Sequence, residues 1–468
     1  MNDYERQHSE FVRSHGAECT VLLKNDGTFP LEGPCAIAVY GSGARNTIKG
    51  GTGSGEVNSR YSATIEQGLS EAGFTVTTGA WMDGYDGAKS DAKAAFMKAM
   101  KAEAKQRHQN VMMIIMGRTP DEPEYNLPLS GEGDTAIYVL SRISGEGADR
   151  DPVSGSILLS ETEIRDILAC SEKYEKFMLV LNVGGVVDLS PVAGVQNILL
   201  LSQLGTETGR ILADILLGRQ NPSGKLTTTW AAWKDYPDMI DFGGKDDTRY
   251  REGIYVGYRY FDTVGKAPAF PFGYGLSYTS FALGSAAADL SGEQITVTVP
   301  VTNTGRLAGR EVVQVYVSIP AGKLDEPYQV LAGFKKTALL APGEQETVRI
   351  SFSLRDIAPY DPETAAYILE AGDYLLRVGT SSRDTEVCAV VRIPGLITSL
   401  QVSNVLGKPD FDDYKAPAVK WEVPGDIPVL VLDPAAIVTE TVNYCASADT
   451  EEVDPRVKAL SEEQLIKM

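Results

Sequence analysis

Two loops in this chain share an acidic pattern, and one of them has the surroundings that proton-transfer chemistry needs. Residues 144–150 read S-G-E-G-A-D-R: Glu146 sits between two glycines and is followed by an acid, Asp149, and a base, Arg150. Glycines let the backbone turn tightly around the carboxyl. A carboxylic acid held on such a loop can give and take a proton near neutral pH when its surroundings raise its pKa. Residues 130–134, S-G-E-G-D, repeat the pattern around Glu132. The loop of Glu132 follows a polar, Pro-containing stretch, whereas that of Glu146 leaves the apolar run AIYVLSRI (136–143) directly. Ligands gather beyond the carboxyl ends of strands in α/β sheets, which favours Glu146. A glycine-flanked acid without that context is an ordinary solvated surface loop.

A second glycine-rich stretch, YGSGARNTIKGGTGSGEVN (40–58), also follows an apolar run. Its spacing does not fit a dinucleotide or phosphate loop: no G-x-G-x-x-G runs into a helix, and Lys49 precedes its glycines instead of following them. Lys49, Gly50, Gly51, Thr52, Gly53, Ser54, Gly55 and Glu56 therefore read as a substrate-facing loop whose backbone approaches a ligand closely. The three histidines, His8, His15 and His108, sit in no motif, and the five cysteines form no close pair. A His-based triad, a zinc site and a disulfide framework are not expected, nor is any metal or cofactor.

The elements that position these loops can be read from hydrophobic patterning. Short apolar runs alternate with helical stretches from residue 35 to about 230. Strands are expected at 35–41, 74–78, 111–117, 136–143, 177–184 and 197–203, and helices at 61–72, 88–108, 160–171 and 207–217. Continuous rather than alternating hydrophobicity implies strands covered on both faces, hence an α/β layered sandwich with a mostly parallel sheet. Residues 231–283 turn aromatic and Gly-rich. From 284 to 393 the period becomes two, as in QITVTVPVTN and ETVRISFSL, the signature of an all-β immunoglobulin-like sandwich; without a Cys…Trp…Cys pattern the fibronectin type III-like variant is favoured. The expected domains are a lead segment (1–34), the α/β sandwich (35–283, closed by 231–283), the fibronectin type III-like domain (284–393), and a linker running into a further domain (394–468). In that last stretch ALSEEQLIKM begins an amphipathic helix.

The formal charge of −20, read as spread without a basic cluster, argues against nucleic acid or an anionic membrane as partner. No apolar run reaches the roughly 18 residues of a membrane helix. The first residues, MNDYERQHSEFVRSHG, carry no apolar core, so no secretory signal is read and a cytoplasmic location is expected.

Six segments in order, TVLLKNDGTFPL (20–31), IKGGTGSGEVN (48–58), SGEGADR (144–150), RILADILLGRQNPSGKL (210–226), REGIYVGYRYFD (251–262) and FPFGYGLSYTSF (270–281), resemble glycoside hydrolase family three, the β-glucosidase family. The resemblance covers about residues 15–393. It implies an active site shared between a (β/α)8 barrel, whose aspartate is the nucleophile, and a loop of the α/β sandwich, which delivers the acid/base glutamate. The matching loop carries that role onto Glu146, with Asp149 and Arg150 as its bracing neighbours, and residues 49–56 border the substrate entrance. The implied substrate is a β-glucoside or oligosaccharide. The implied reaction is exo-acting, retaining hydrolysis of a terminal non-reducing β-D-glucosyl unit.

The barrel's S-D-W nucleophile segment and its Lys-His sugar-binding pair are not in this sequence. The expectation is a truncated member of the permuted group, in which sandwich and fibronectin-like domain precede the barrel; the barrel would act in cis or in trans. Two other readings stand beside it. One is a non-catalytic carbohydrate-binding or barrel-docking module, inactive alone; the other, a sugar-nucleotide enzyme, requires a phosphate loop that is not found.

Overall fold

The computed structural model describes residues 2–55, 57–115, 118, 120, 122–143, 150–237, 247–417, 421, 423–442 and 454–466, with the backbone alone at Ser54 and Glu462. Glu146, Asp149 and Glu56 lie outside these residues.

The first domain holds helix α1 (Asp3–His15), strands β1 (Val21–Lys24) and β2 (Ala36–Tyr40), helix α2 (Ile65–Glu71), strand β3 (Thr75–Val76) and helices α3 (Gly79–Arg107) and α4 (Val111–Ile115). It continues with β4 (Thr135–Arg142), α5 (Glu161–Lys173), β5 (Lys176–Val183), β6 (Ile198–Leu200) and α6 (Thr208–Leu216). Its six strands run in the order β1-β6-β5-β4-β2-β3. All neighbours are parallel except β1, which pairs antiparallel with β6. Every residue of β4 is buried, as is β5 beyond its first residue. This is the α/β layered domain with a mostly parallel sheet that continuous hydrophobicity implied.

Local chemistry sets the helix starts. Ser160 and Thr64 are reciprocal caps: each hydroxyl accepts from the third residue of its helix, Glu163 or Gln67, whose side chain returns to the cap's own N–H. Where glycine meets glycine, α2 and α6 pack backbone to backbone, a Cβ on Gly68 standing only 2.2 Å from Gly209.

Four features depart from the sequence reading. Residues 111–115 form a helix, not a strand. Asn110 accepts the Met112 N–H at 2.9 Å and starts the turn, and β2 is already flanked by β3 and β4, so no slot is vacant beside it. Helix α3 begins at Gly79 rather than 88, because Trp81, Met82 and Tyr85 bury one face of its first turns. The lead segment contributes β1 to the sheet, its Val21, Leu22 and Leu23 lying in the core. Finally, α3 carries Lys89, Lys93, Lys98, Lys101, Lys105 and Arg107 against Asp83, Asp86, Asp91 and Glu103, a local positive excess in a chain read as evenly acidic.

The second domain is the expected fibronectin type III-like sandwich. Strand 294–303 buries Ile295, Val297, Val299 and Val301 in strict alternation and pairs antiparallel with 345–353. Opposite it stands a sheet of 330–336, 312–318, 372–381, 384–393 and 429–431. Strand 312–318 is buried throughout because it is covered on both sides. The sandwich core covers one side, and the aromatic segment of the first domain covers the other. There Gln314 donates to the Gly273 carbonyl at 3.0 Å, and Tyr258 meets Tyr316 edge to face, with ring centroids 6.0 Å apart. The stretch expected as linker adds strands 397–401, 429–431 and 440–441 to the sandwich, and its last part forms two short helices, Pro455–Lys458 and Glu462–Ile466. Among the described residues no helix is long and apolar enough to cross a membrane.

Candidate active site

The chain leaves β2, forms β3 on one side of it, and returns to form β4 on the other. That reversal is a topological switch point, where α/β sheets open a crevice beyond their carboxyl ends. The two loops singled out by sequence leave these two neighbouring strands: 41–58 follows β2, and the segment with Glu146 follows β4. Glu132 lies at the other edge. It precedes β4, is exposed, and its N–H is bonded to Thr77 Oγ1 at 3.1 Å. The eight residues of β4, roughly 25 Å of strand, run between Glu132 and Ile143.

The loop after β2 is held by its neighbours. Gly41 turns with φ +89°, and a Cβ there would stand 2.4 Å from the Val139 carbonyl, so only glycine fits. Gly43 N–H donates to that carbonyl at 3.0 Å, and Ser42 Oγ accepts the Ser141 N–H at 3.0 Å. The fully buried Asn182, near the end of β5, joins the strand ends. Its Oδ1 accepts the Ile48 N–H at 2.6 Å and the Ser141 hydroxyl at 3.3 Å, while Nδ2 donates to the carbonyls of Ile48 and Ser202 at 2.9 and 2.7 Å. Gly205 N–H fixes the Lys49 carbonyl at 3.0 Å.

Within the loop, Lys49 folds back, its Nζ donating to the Val57 carbonyl and Ser59 Oγ at 2.5 and 2.9 Å. Gly50, Gly51 and Thr52 are half-buried, and Gly53 and Gly55 are exposed in a short 3₁₀ turn that includes Ser54. Lys49 thus shapes the loop through its own backbone.

Arg142 closes β4, and Arg150 is the first described residue after the Glu146 segment. Arg142 meets Glu163 in a two-pronged pair, Nη1 to Oε1 at 2.8 Å and Nη2 to Oε2 at 2.6 Å, with side-chain exposures of 6% and 1%. Burial works against the Arg142 charge, but Glu163 outweighs it and raises the guanidinium pKa. Arg150 donates to the Val186 and Ser156 carbonyls at 3.0 and 2.6 Å. Burial, and then the charge of Arg142, pull its pKa down to about 10. The bracing contact from Arg150 to Glu146 expected from the sequence involves a residue outside the described ones, as does any contact of Asp149. A further acid, Glu122, is half-enclosed beside this pair; burial raises its pKa, and Tyr85 donates to it at 2.6 Å.

Sequence reasoning missed Arg142, Glu163 and Asn182. The signal for Asn182 was a single amide inside the apolar run FMLVLNVG; for Glu163 it was the capping pattern S-x-x-E, which reads only as a helix start. Among the described residues no three His, Cys, Asp or Glu side chains gather as a metal site.

Residues 20–278 match the glycosyl hydrolase family 3 C-terminal domain, and residues 311–382 a fibronectin type III-like domain. The chain belongs to glycoside hydrolase family 3. It is similar to β-glucosidase A of Butyrivibrio fibrisolvens, 36% identical over 82% of this chain and 50% of that protein. The β-glucosidase of Ruminococcus albus is 34% identical over 83% and 40%. Among solved structures, β-glucosidase 3B from Thermotoga neapolitana in complex with α-D-glucose superposes with a TM-score of 0.71 at 37% identity, covering 84% of this chain and 55% of that one. The family resemblance and fold classes read from the sequence are borne out. This family 3 chain spans about half the length of the relatives it matches, and the matched first region contains the whole α/β sheet with both loops of the switch point.

Proposed function

We propose that this chain is the acid/base half of a retaining, exo-acting β-glucosidase, completed by a (β/α)8 barrel in cis or in trans that supplies the nucleophilic aspartate. The observation that carries the reading is the departure of the two candidate loops from adjacent strand ends at the switch point. The half-length match to proteins named β-glucosidases supports it.

In this mechanism the barrel's aspartate attacks the anomeric carbon while Glu146 gives its proton to the departing oxygen, breaking the glycosidic bond. Glu146, now a carboxylate, takes a proton from water; the water oxygen bonds the anomeric carbon, and the aspartate leaves. The loop around residues 49–56 borders the sugar. Terminal non-reducing β-D-glucosyl units are the substrate.

Mixing the chain with a separately expressed family 3 barrel tests the proposal. The expected result is a complex at micromolar concentration that releases glucose from β-glucosides, with neither half active alone. A complex without hydrolysis would instead make the chain a docking module, and absence of a complex would contradict the proposal.

A further inference from the structure

Arg142 and Arg150 flank the segment that carries Glu146, and a single oxygen joins them. The Ser156 carbonyl accepts Arg142 Nε at 2.9 Å and Arg150 Nη2 at 2.6 Å, so both of its lone pairs are filled. Arg142 has its remaining contacts locked: Nη1 also donates to its neighbour's carbonyl, Ser141, at 2.9 Å, and the fork closes on Glu163. Glu163 is fixed in turn, accepting the Ser160 N–H at 2.9 Å from the start of α5.

Two guanidinium groups on one carbonyl repel each other. The arrangement persists because the Glu163 carboxylate neutralises Arg142 at close range. A lysine could keep the charge at 142 but not the planar fork that reaches a carboxylate and two carbonyls at once. An apolar pair could fill the same volume, and such replacements of buried ion pairs are often tolerated, yet it would leave Ser156 held by Arg150 alone.

We propose that Arg142, set by Glu163, is a positioning residue: through the Ser156 carbonyl it ties the strand end before the Glu146 segment to Arg150 after it, and so sets both ends of the segment that carries the proton donor. The inference rests on the reading of Glu146 as acid/base. Proton transfer is sensitive to geometry, a misplacement on the order of 1 Å costing about 10²-fold in rate.

Two measurements test it. The first needs no activity: hydrogen exchange in the full chain, comparing wild type with Arg142→Lys and with the double variant Arg142→Met/Glu163→Leu, which keeps the interior packed without charge. The expected result is that Ser156, Ile157 and Leu158 amides exchange at least tenfold faster in both variants, while Ile137–Leu140 in the double variant stay within about twofold of wild type. A folded double variant with unchanged exchange at 156–158 would overturn the proposal.

The second compares alkyl with nitrophenyl β-glucosides in the barrel-completed enzyme, beside Glu146→Gln. Arg142→Lys is expected to lower turnover of the alkyl substrate at least tenfold more than that of the nitrophenyl one, a difference that a purely structural loss would not produce. If Glu146→Gln discriminates between the leaving groups and Arg142→Lys does not, the positioning role falls and the Glu146 assignment stands. If Glu146→Gln does not discriminate, the acid/base reading falls, and the exchange data still decide whether Arg142 holds the loop.

Discussion

Asn182 grips Ile48 by both of its backbone polar groups, accepting from the N–H at 2.6 Å and donating to the carbonyl at 2.9 Å. One amide at the carboxyl end of β5 thereby reproduces a strand neighbour for a loop that has none, and by also reaching Ser141 and Ser202 it fastens three strand ends to each other.

Removing that amide leaves partly buried backbone groups of Ile48 and Ser202 without this partner. Asn182→Leu is expected to destabilise the chain by about 3 kcal/mol, since each unsatisfied buried group costs about 1–3 kcal/mol. Asn182→Asp, which keeps the acceptor but faces two carbonyls with a carboxylate, is expected to lose at least as much at pH 7. Urea unfolding measures both; a loss below about 1 kcal/mol for Asn182→Leu would mean that the loop is held by other contacts.

Gly41 and Gly27 both turn with positive φ, +89° and +96°, but only Gly41 is crowded. A Cβ at Gly41 meets the Val139 carbonyl at 2.4 Å, whereas one at Gly27 meets nothing within 4 Å. Gly41→Ala is expected to cost about 3 kcal/mol or more, and Gly27→Ala about 1 kcal/mol from backbone strain alone. Equal shifts in the two urea midpoints would contradict the steric account.

Glu326, in the loop between strands 312–318 and 330–336, gives the sandwich a pH dependence. Burial, and then the charges of Glu370 and Asp325, lift its pKa from 4.5 to about 8, with Arg259 opposing. Between those values the folded chain keeps a proton that the unfolded chain releases, so the unfolded state binds fewer protons and stability falls as pH rises. The slope is on the order of 1 kcal/mol per pH unit, absent below about pH 4.5 and exhausted above about pH 8. Glu326→Gln is expected to flatten this part of the stability curve measured by urea unfolding from pH 5 to 8; a slope that survives the substitution would assign it to other groups.

How much of this was legible depends on the length of each signal. The strands β4 and β5 are eight residues each and hold unbroken apolar runs of five residues, 136–140 and 177–181, so strand and parallel sheet were readable, and Ser160 with Glu163 marked the start of α5 to the residue. Val111–Ile115 was not: a short apolar run fits strand or helix equally, and Asn110 together with the filled sheet order decided for helix. Val21–Lys24 was too short to read, its pairing with β6 spanning some 180 residues of chain. The site divides in the same way. Glycine spacing pointed to the two loops, but Arg142 with Glu163 and Asn182 with Ile48 meet only after β4, β5 and α5 have packed, and no local pattern encodes such meetings.

The account turns on Glu146 as proton donor. The measurement that tests it most directly is turnover of an alkyl and a nitrophenyl β-glucoside by the barrel-completed enzyme carrying Glu146→Gln. The account predicts a loss of about 10²–10⁴-fold on the alkyl glucoside, the usual contribution of acid–base catalysis, and a far smaller loss on the nitrophenyl glucoside, whose leaving group departs with little proton help. Equal losses on the two substrates would contradict it.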